Sequence, residues 1–323
     1  MRAMRVHDLG QPLQMDEVEI PTPGPKQVSI DVAACGVNFA DTLLVKGQYQ
    51  EKPALPFAPG AEVAGRIREV GEGVRHLRPG MRVSALIGSG GFAEVALADA
   101  RTCIPVPDAM SDAHAAAFTI VYGTSHVALD HRARLQPGEN LLVLGAAGGV
   151  GLTAIEIGKL MGATVIACAR GADKLEIARA AGADHLIDSD SLTAGDSLRE
   201  RVKALGGADV VYDPVGGDLF RQAMRACNPE ARLIPLGFAS GDIPQIPANI
   251  LLVKNLTVLG VYWGAYAGFR PSVLMDSGQT LFGWYLQGKL KPHVSHEIPL
   301  ERASEALDLL TSRKATGKVI VTI

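Results

Sequence analysis

Cysteine is scarce in this sequence, and what there is lies badly spaced for cross-linking or metal binding. Its four copies, Cys35, Cys103, Cys168 and Cys227, form no Cys-x-x-Cys pair and no cluster with histidine. That spacing supports neither a disulfide framework nor a structural zinc site, so the thiols read as small packed hydrophobes. An excess of one charge sign is also missing: Lys plus Arg number 31 and Asp plus Glu 34, a formal net charge of −3. Dedicated nucleic-acid binders carry a basic footprint, so no nucleic-acid partner is expected. The longest charge-free apolar stretch, residues 141–155, is glycine-rich and shorter than the ~18 residues a membrane helix needs. Residues 1–10 put no apolar core behind Arg2 and Arg5. A secretory signal is therefore not expected, and the cytoplasm is the default setting, with no membrane partner. No repeat or low-complexity tract is visible. Ser125, His126, Asp130 and His131 lack a Gly-x-Ser-x-Gly elbow and read as polar residues on a partly exposed helix. His293 and His296 have no third ligand nearby.

What is there fits a soluble globular protein, with 323 residues, 47% hydrophobic and 20% charged. That length exceeds the size at which one core stops growing, so roughly two domains are expected. Up to about residue 120, short alternating apolar runs separated by Gly and Pro predict many short strands and a barrel-like domain. After about residue 138 the pattern becomes strand–helix alternation. Near-continuous apolar strands at 141–144, 164–168, 185–187, 208–213, 231–236 and 256–261 predict a parallel sheet covered on both faces. Pro235 has no N–H to give a ladder and belongs near a strand end or edge. A helix over 301–313 and a strand over 318–323 either close the first domain or form a third unit.

The strongest local signal is the run 145–151, Gly-Ala-Ala-Gly-Gly-Val-Gly. It follows the 141–144 strand and opens a helix, as a dinucleotide-binding turn requires. Read as a fingerprint it is Ala146-x-Gly148-x-x-Gly151, with Ala in place of the first Gly. Small residues let Ala147, Gly148, Gly149, Val150 and Gly151 bring backbone close to a pyrophosphate, whose charge the helix N-terminus favours. At the end of the following strand stand Arg170 and, soon after, Lys174, with no carboxylate. Two cations there fit a 2′-phosphate and so NADPH rather than NADH.

Several further segments match one family in order and spacing. They are 36–41 (GVNFAD), 59–65 (PGAEVAG), 70–74 (VGEGV), 79–80 (PG), 122–124 (YGT), 213–217 (DPVGG) and 237–241 (GFASG). With the glycine turn, they make the chain resemble the medium-chain dehydrogenase/reductase superfamily. Within it the chain looks like the zinc-independent NADPH:quinone oxidoreductases, the zeta-crystallin-like family. The resemblance implies an α/β fold: a GroES-like β-barrel catalytic domain of residues 1–123 and 266–323, and a Rossmann doubly wound parallel-sheet domain of residues 124–265. It implies a cleft between domains with NADPH reaching across it, and a homodimer formed through the 256–261 edge strand.

Zinc-dependent relatives place a Cys and a His where this chain has Asn38 and Ala61. An amide is a poor zinc ligand and a methyl group cannot ligate, so no metal is expected. The resemblance puts Asn38, Tyr49 and Thr124 in catalytic positions: Asn38 orienting nicotinamide or acceptor, Tyr49 as hydrogen-bond or proton donor, Thr124 against the nicotinamide. It places Val215 near the adenosine and Phe238, Ala239, Val261, Tyr262 and Trp263 on the nicotinamide side, with Lys318 reaching the 2′-phosphate. Ser189 departs from the pattern, since many relatives carry Tyr there. The activity implied is hydride transfer from NADPH to a quinone or activated alkene. An enoyl-thioester or enone reductase and a non-catalytic NADPH-binding crystallin-like or RNA-associated protein are the alternatives.

Overall fold

The computed structural model describes every residue, Met1–Ile323, and contacts divide the chain into two units, Met1–Ile120 with Pro292–Ile323, and Val121–Lys291. The first is built on a seven-stranded, mostly antiparallel sheet. Its long strand, Gln27–Val37, alternates toward an apolar core through Val28, Ile30 and Val32. Val95–Asp99 pairs with its first half, and Lys318–Thr322 with residues 34–37. Irregularities between Ser29 and Ile30 and between Val32 and Ala34 bend the strand so that it serves both partners. Glu62–Val70 lies along its other edge, followed by Arg82–Leu86 and Cys103–Pro105. The C-terminal stretch closes this unit. Lys318–Thr322 sits between Val294–Pro299 and Gln27–Val37, and the Ala303–Thr311 helix buries Ala303, Ala306 and Leu307 in the same core.

The second unit carries a six-stranded sheet with every neighbouring pair parallel. Its spatial order is His185–Asp188, Thr164–Ala169, Asn140–Leu144, Ala208–Asp213, Cys227–Pro235, Thr257–Val258. In sequence terms this is third, second, first, fourth, fifth, sixth, the doubly wound order. Residues 141–144 are all fully buried because helices cover both faces of the central strand. Pro235 is the last residue of its strand, where its missing N–H costs no ladder bond.

Three expectations are corrected. The 256–261 strand shrinks to Thr257–Val258; Leu259 still donates to Leu233 O at 2.8 Å, but Gly260 and the following turn leave the ladder. The second boundary falls after Lys291, not at 265. Ring contacts of Trp284 on His126 (5.4 Å) and Tyr266 on His131 (5.8 Å) tie the Pro271–Leu286 helix and its lead-in to the sheet unit. Ser125 is fully buried rather than partly exposed. Its Oγ lies 2.7 Å from both Thr153 Oγ1 and Tyr212 OH and donates to Val150 O at 3.1 Å. That hydroxyl cluster satisfies polar groups inside the unit.

Candidate active site

In the sheet unit, the central strand ends at Leu144 and is followed by Gly145, whose φ of +60° suits a residue without a side chain. The Gly149–Leu160 helix then begins, with Gly148 as its N-cap. A Cβ on Gly151 would lie 2.4 Å from Gly145 O, so only glycine lets helix and turn approach this closely. The first-turn N–H groups of Gly149, Val150 and Gly151 have no acceptor one turn back. Residues 148–150 are half-buried and Ala147 is buried, and the turn has the makings of a cradle for an anion.

Arg170 leaves the end of Thr164–Ala169, exposed, with Nε 3.1 Å from Asp190 Oδ1. Parallel pairing sets Asp188 beside Ala169, and Gly171 donates its N–H to Asp188 Oδ1 at 2.9 Å. The N–H groups of Gly171 and Asp190 hold the Asp188 carboxyl below its usual value. Carboxylates therefore do stand at this strand end, contrary to expectation, because the neighbouring strand delivers them. The Arg170–Asp190 pair is exposed on both sides, hence weak and exchangeable for a phosphate. Lys174 lies in the first turn of the Ala172–Ala180 helix, and Ser189 opens a short helical turn.

Val215, Phe238 and Ala239 gather around the turn after Ala208–Asp213. Asp213 is fully buried, and burial pushes its carboxyl up to about 6 while the Gly216 and Val215 N–H groups oppose that shift. Those N–H groups donate at 2.9 and 2.7 Å, and Ala239 donates to Pro214 O at 3.1 Å. Val215 comes beside Gly145 and Phe238 beside Gly216, close enough that a Cβ on either glycine would crowd them. Trp263 lies on Gly123, next to half-buried Thr124, and its Nε1 is buried without a partner. Val261 and Tyr262 lead into it, Tyr262 being exposed.

In the other unit, Asn38 caps the short Phe39–Leu44 helix, and Asp41 accepts its backbone N–H at 2.8 Å. Asp41 is buried, and burial pushes it up to about 6. Glu62, 0% exposed, accepts from Asn38 Nδ2 (2.9 Å), Lys318 Nζ (2.7 Å) and Ile120 N (2.9 Å). Lys318 Nζ also donates to Asn38 Oδ1 and Val37 O, each at 2.9 Å. The placement of Lys318 at a 2′-phosphate is therefore corrected. It is 4% exposed and its three N–H donors are spent inside its own unit. Asn38 changes in meaning too. Nδ2 gives its hydrogens to Glu62 and to Gly36 O (3.3 Å), so what remains is acceptor capacity on Oδ1. Tyr49 is half-buried against the unit's core. No three His, Cys, Asp or Glu side chains converge as a metal set; burial raises all four thiols.

Sequence reasoning missed Glu62 and Asp41, though the signal was present: single carboxylates inside apolar runs, which burial forces into partnership. Within the sheet unit, the Tyr122 hydroxyl donates to half-buried Glu156 at 2.5 Å, a related pairing.

Residues 24–108 match the alcohol dehydrogenase GroES-like domain and residues 149–275 the zinc-binding dehydrogenase domain. The quinone oxidoreductase-like protein 2 homolog of Nematostella vectensis is 41% identical over 99% of this chain and 88% of its own length. Rat quinone oxidoreductase is 34% identical over 99% of this chain and 97% of its own. The crystal structure of Escherichia coli quinone oxidoreductase complexed with NADPH superimposes with a TM-score of 0.93 at 29% identity, covering all of both chains. With the doubly wound sheet, the glycine turn and the GroES-like unit in place, the chain belongs to the quinone oxidoreductase family of medium-chain dehydrogenases/reductases.

Proposed function

We propose that this protein is an NADPH-dependent oxidoreductase that reduces a quinone or an activated alkene without a metal ion. The observation that carries the reading is the glycine turn at the carboxyl end of the central parallel strand, with exchangeable Arg170 at the end of the next. The cradle at 148–151 would take the pyrophosphate, and Arg170 and Lys174 the 2′-phosphate. Val215 would flank the adenosine. Phe238, Ala239, Val261, Tyr262, Trp263 and Thr124 would hold the nicotinamide end, where the orphaned Trp263 Nε1 offers a donor. When bound, NADPH supplies the hydride.

The residues at the zinc-ligand positions do not fit the zinc implied by the matched domain's name. Asn38 is an amide, Ala61 a methyl, and the adjacent Glu62 is already paired with Lys318. The acceptor must then be one whose negative charge spreads by conjugation, which quinones and enones satisfy. Asn38 contributes an acceptor oxygen fixed by Lys318, and Tyr49 the hydroxyl that returns a proton. The finer reading includes a homodimer, supported by the open edge of Thr257–Val258, and a cytoplasmic setting.

The test is a screen of quinones, enones and enoyl thioesters, following loss of reduced-nicotinamide absorbance. Turnover of quinones or simple enones with NADPH is expected. Turnover confined to thioesters, or tight NADPH binding with no turnover, would replace the reading. Replacing Arg170 and Lys174 together by Ala should weaken NADPH binding by about tenfold or more and NADH binding far less. Equal weakening would overturn the phosphate assignment.

A further inference from the structure

At the other end of the parallel sheet, beside the Thr257–Val258 edge, lies a cationic cavity. The strands run parallel, so their register shows which end is which. Arg232 stands opposite Val210, which faces Leu141 at the amino end of the central strand, and Thr257 is level with Arg232. The glycine turn leaves the carboxyl end of that same strand. Around Arg232 opens a cavity of about 400 Å³ bounded by His131, Arg132, Arg134, Leu259 and Arg270. A second cavity of about 290 Å³ shares His131, Arg132 and Arg270 and continues along Tyr262, Tyr266 and Phe269.

The charges here are unbalanced. Arg232 is engaged, paired with Glu139 and donating to Ala133 O at 2.7 Å. Arg132, Arg134 and Arg270 make no ion pair and no side-chain hydrogen bond, and no carboxylate lines either cavity. His131, its ring edge-on to Tyr266, is held below its usual value by burial and then by Arg270, Arg132 and Arg134, against Asp130. The backbone that presents this cluster is unusual. Val127–Arg132 is a π-helical turn, a feature often found at functional positions, and Arg134 has a φ of +52°. Beside the cations, Phe269 is 67% exposed and packs at a 40° tilt against buried Tyr266, with centroids 4.7 Å apart.

We propose that these neighbouring cavities bind a phosphate monoester carried on an aromatic body, at a site separate from the glycine turn. Guanidinium forks match phosphate oxygens in pairs, and three unneutralised arginines favour a dianion over a single carboxylate. The exposed Phe269 ring supplies an apolar surface for the ligand's ring. The proposal does not rest on the catalytic reading.

The experiment is calorimetric titration of the full chain with phenyl phosphate, inorganic phosphate and phenol at constant ionic strength, with and without saturating NADPH. Saturable phenyl phosphate binding is expected, tighter than inorganic phosphate, absent for phenol and unaffected by NADPH. Arg132→Gln with Arg270→Gln should weaken it by about tenfold or more and leave NADPH affinity unchanged. Phe269→Ala should reduce the preference for phenyl phosphate over inorganic phosphate. Displacement by NADPH would assign the anion to the glycine turn and overturn the proposal, as would affinity insensitive to the arginine pair. No saturable binding, with an oligomeric state that changes in the arginine variant, would make this face a contact between copies and equally overturn it.

Discussion

Asn38 illustrates how neighbours decide what a side chain offers. In sequence it is an amide in a turn, able to donate or accept. In the fold, Lys318 can only donate and a Glu62 carboxylate can only accept, so the amide has one orientation. The arrangement also makes Glu62 depend on Lys318, a partner 256 residues away in sequence. Removing one member of a buried pair strands the other. Lys318→Met should cost about 3–5 kcal/mol in denaturant unfolding. Adding Glu62→Gln should recover part of that loss, and a double variant as unstable as the sum of the singles would rule out the coupling. Asn38→Ala is expected to lower turnover while NADPH affinity stays within about tenfold. Unchanged turnover in steady-state kinetics would remove Asn38 from the chemistry.

At the scale of elements, two turns carry the proposed site. Gly151 permits the approach of helix and turn, so Gly151→Ala forces apart two segments of backbone and should reduce NADPH affinity in equilibrium titration. Asp213 holds its turn from a buried position with its carboxyl raised to about 6, above the ordinary 3.8. A carboxyl that takes its proton more readily folded than unfolded stabilises the fold below the unfolded value. That contribution is lost as pH rises through the folded value. The unfolding free energy of the wild type minus that of Asp213→Asn should therefore fall by about 3 kcal/mol at most between pH ~4 and ~6, then level off. A difference that stays flat across that window would contradict the assignment. Elements were legible in sequence where burial was two-sided: the runs at 141–144, 164–168 and 208–213 are strands because helices cover both faces. The edge strand was not, since with one neighbour it is a strand only as far as its ladder reaches. Asp188 and Asp190 escaped notice because pairing between strands, invisible in a linear reading, delivers them to Arg170.

For the whole molecule, the division into units is unequal in a way that sequence similarity alone does not reveal. Val121–Lys291 is continuous in sequence and owns its sheet, its core and the glycine turn. The other unit draws a sheet strand, a helix and the Glu62 counter-ion from the chain's last segment. Ending the chain at 291 takes all three away and leaves Glu62 buried and uncompensated, so the first unit should lose cooperative unfolding. A fragment of residues 121–291 keeps every strand of its sheet and the aromatic contacts of Trp284 and Tyr266. It should unfold in one transition and bind NADPH. A fragment of residues 124–265, the boundary that motifs suggest, lacks the helix that packs on His126 and is expected to be less stable. Circular dichroism melts with fluorescence titration of NADPH would decide between them. Equal stability of the two fragments would mean that Pro271–Leu286 contributes nothing to the sheet unit's core and would return it to the first unit.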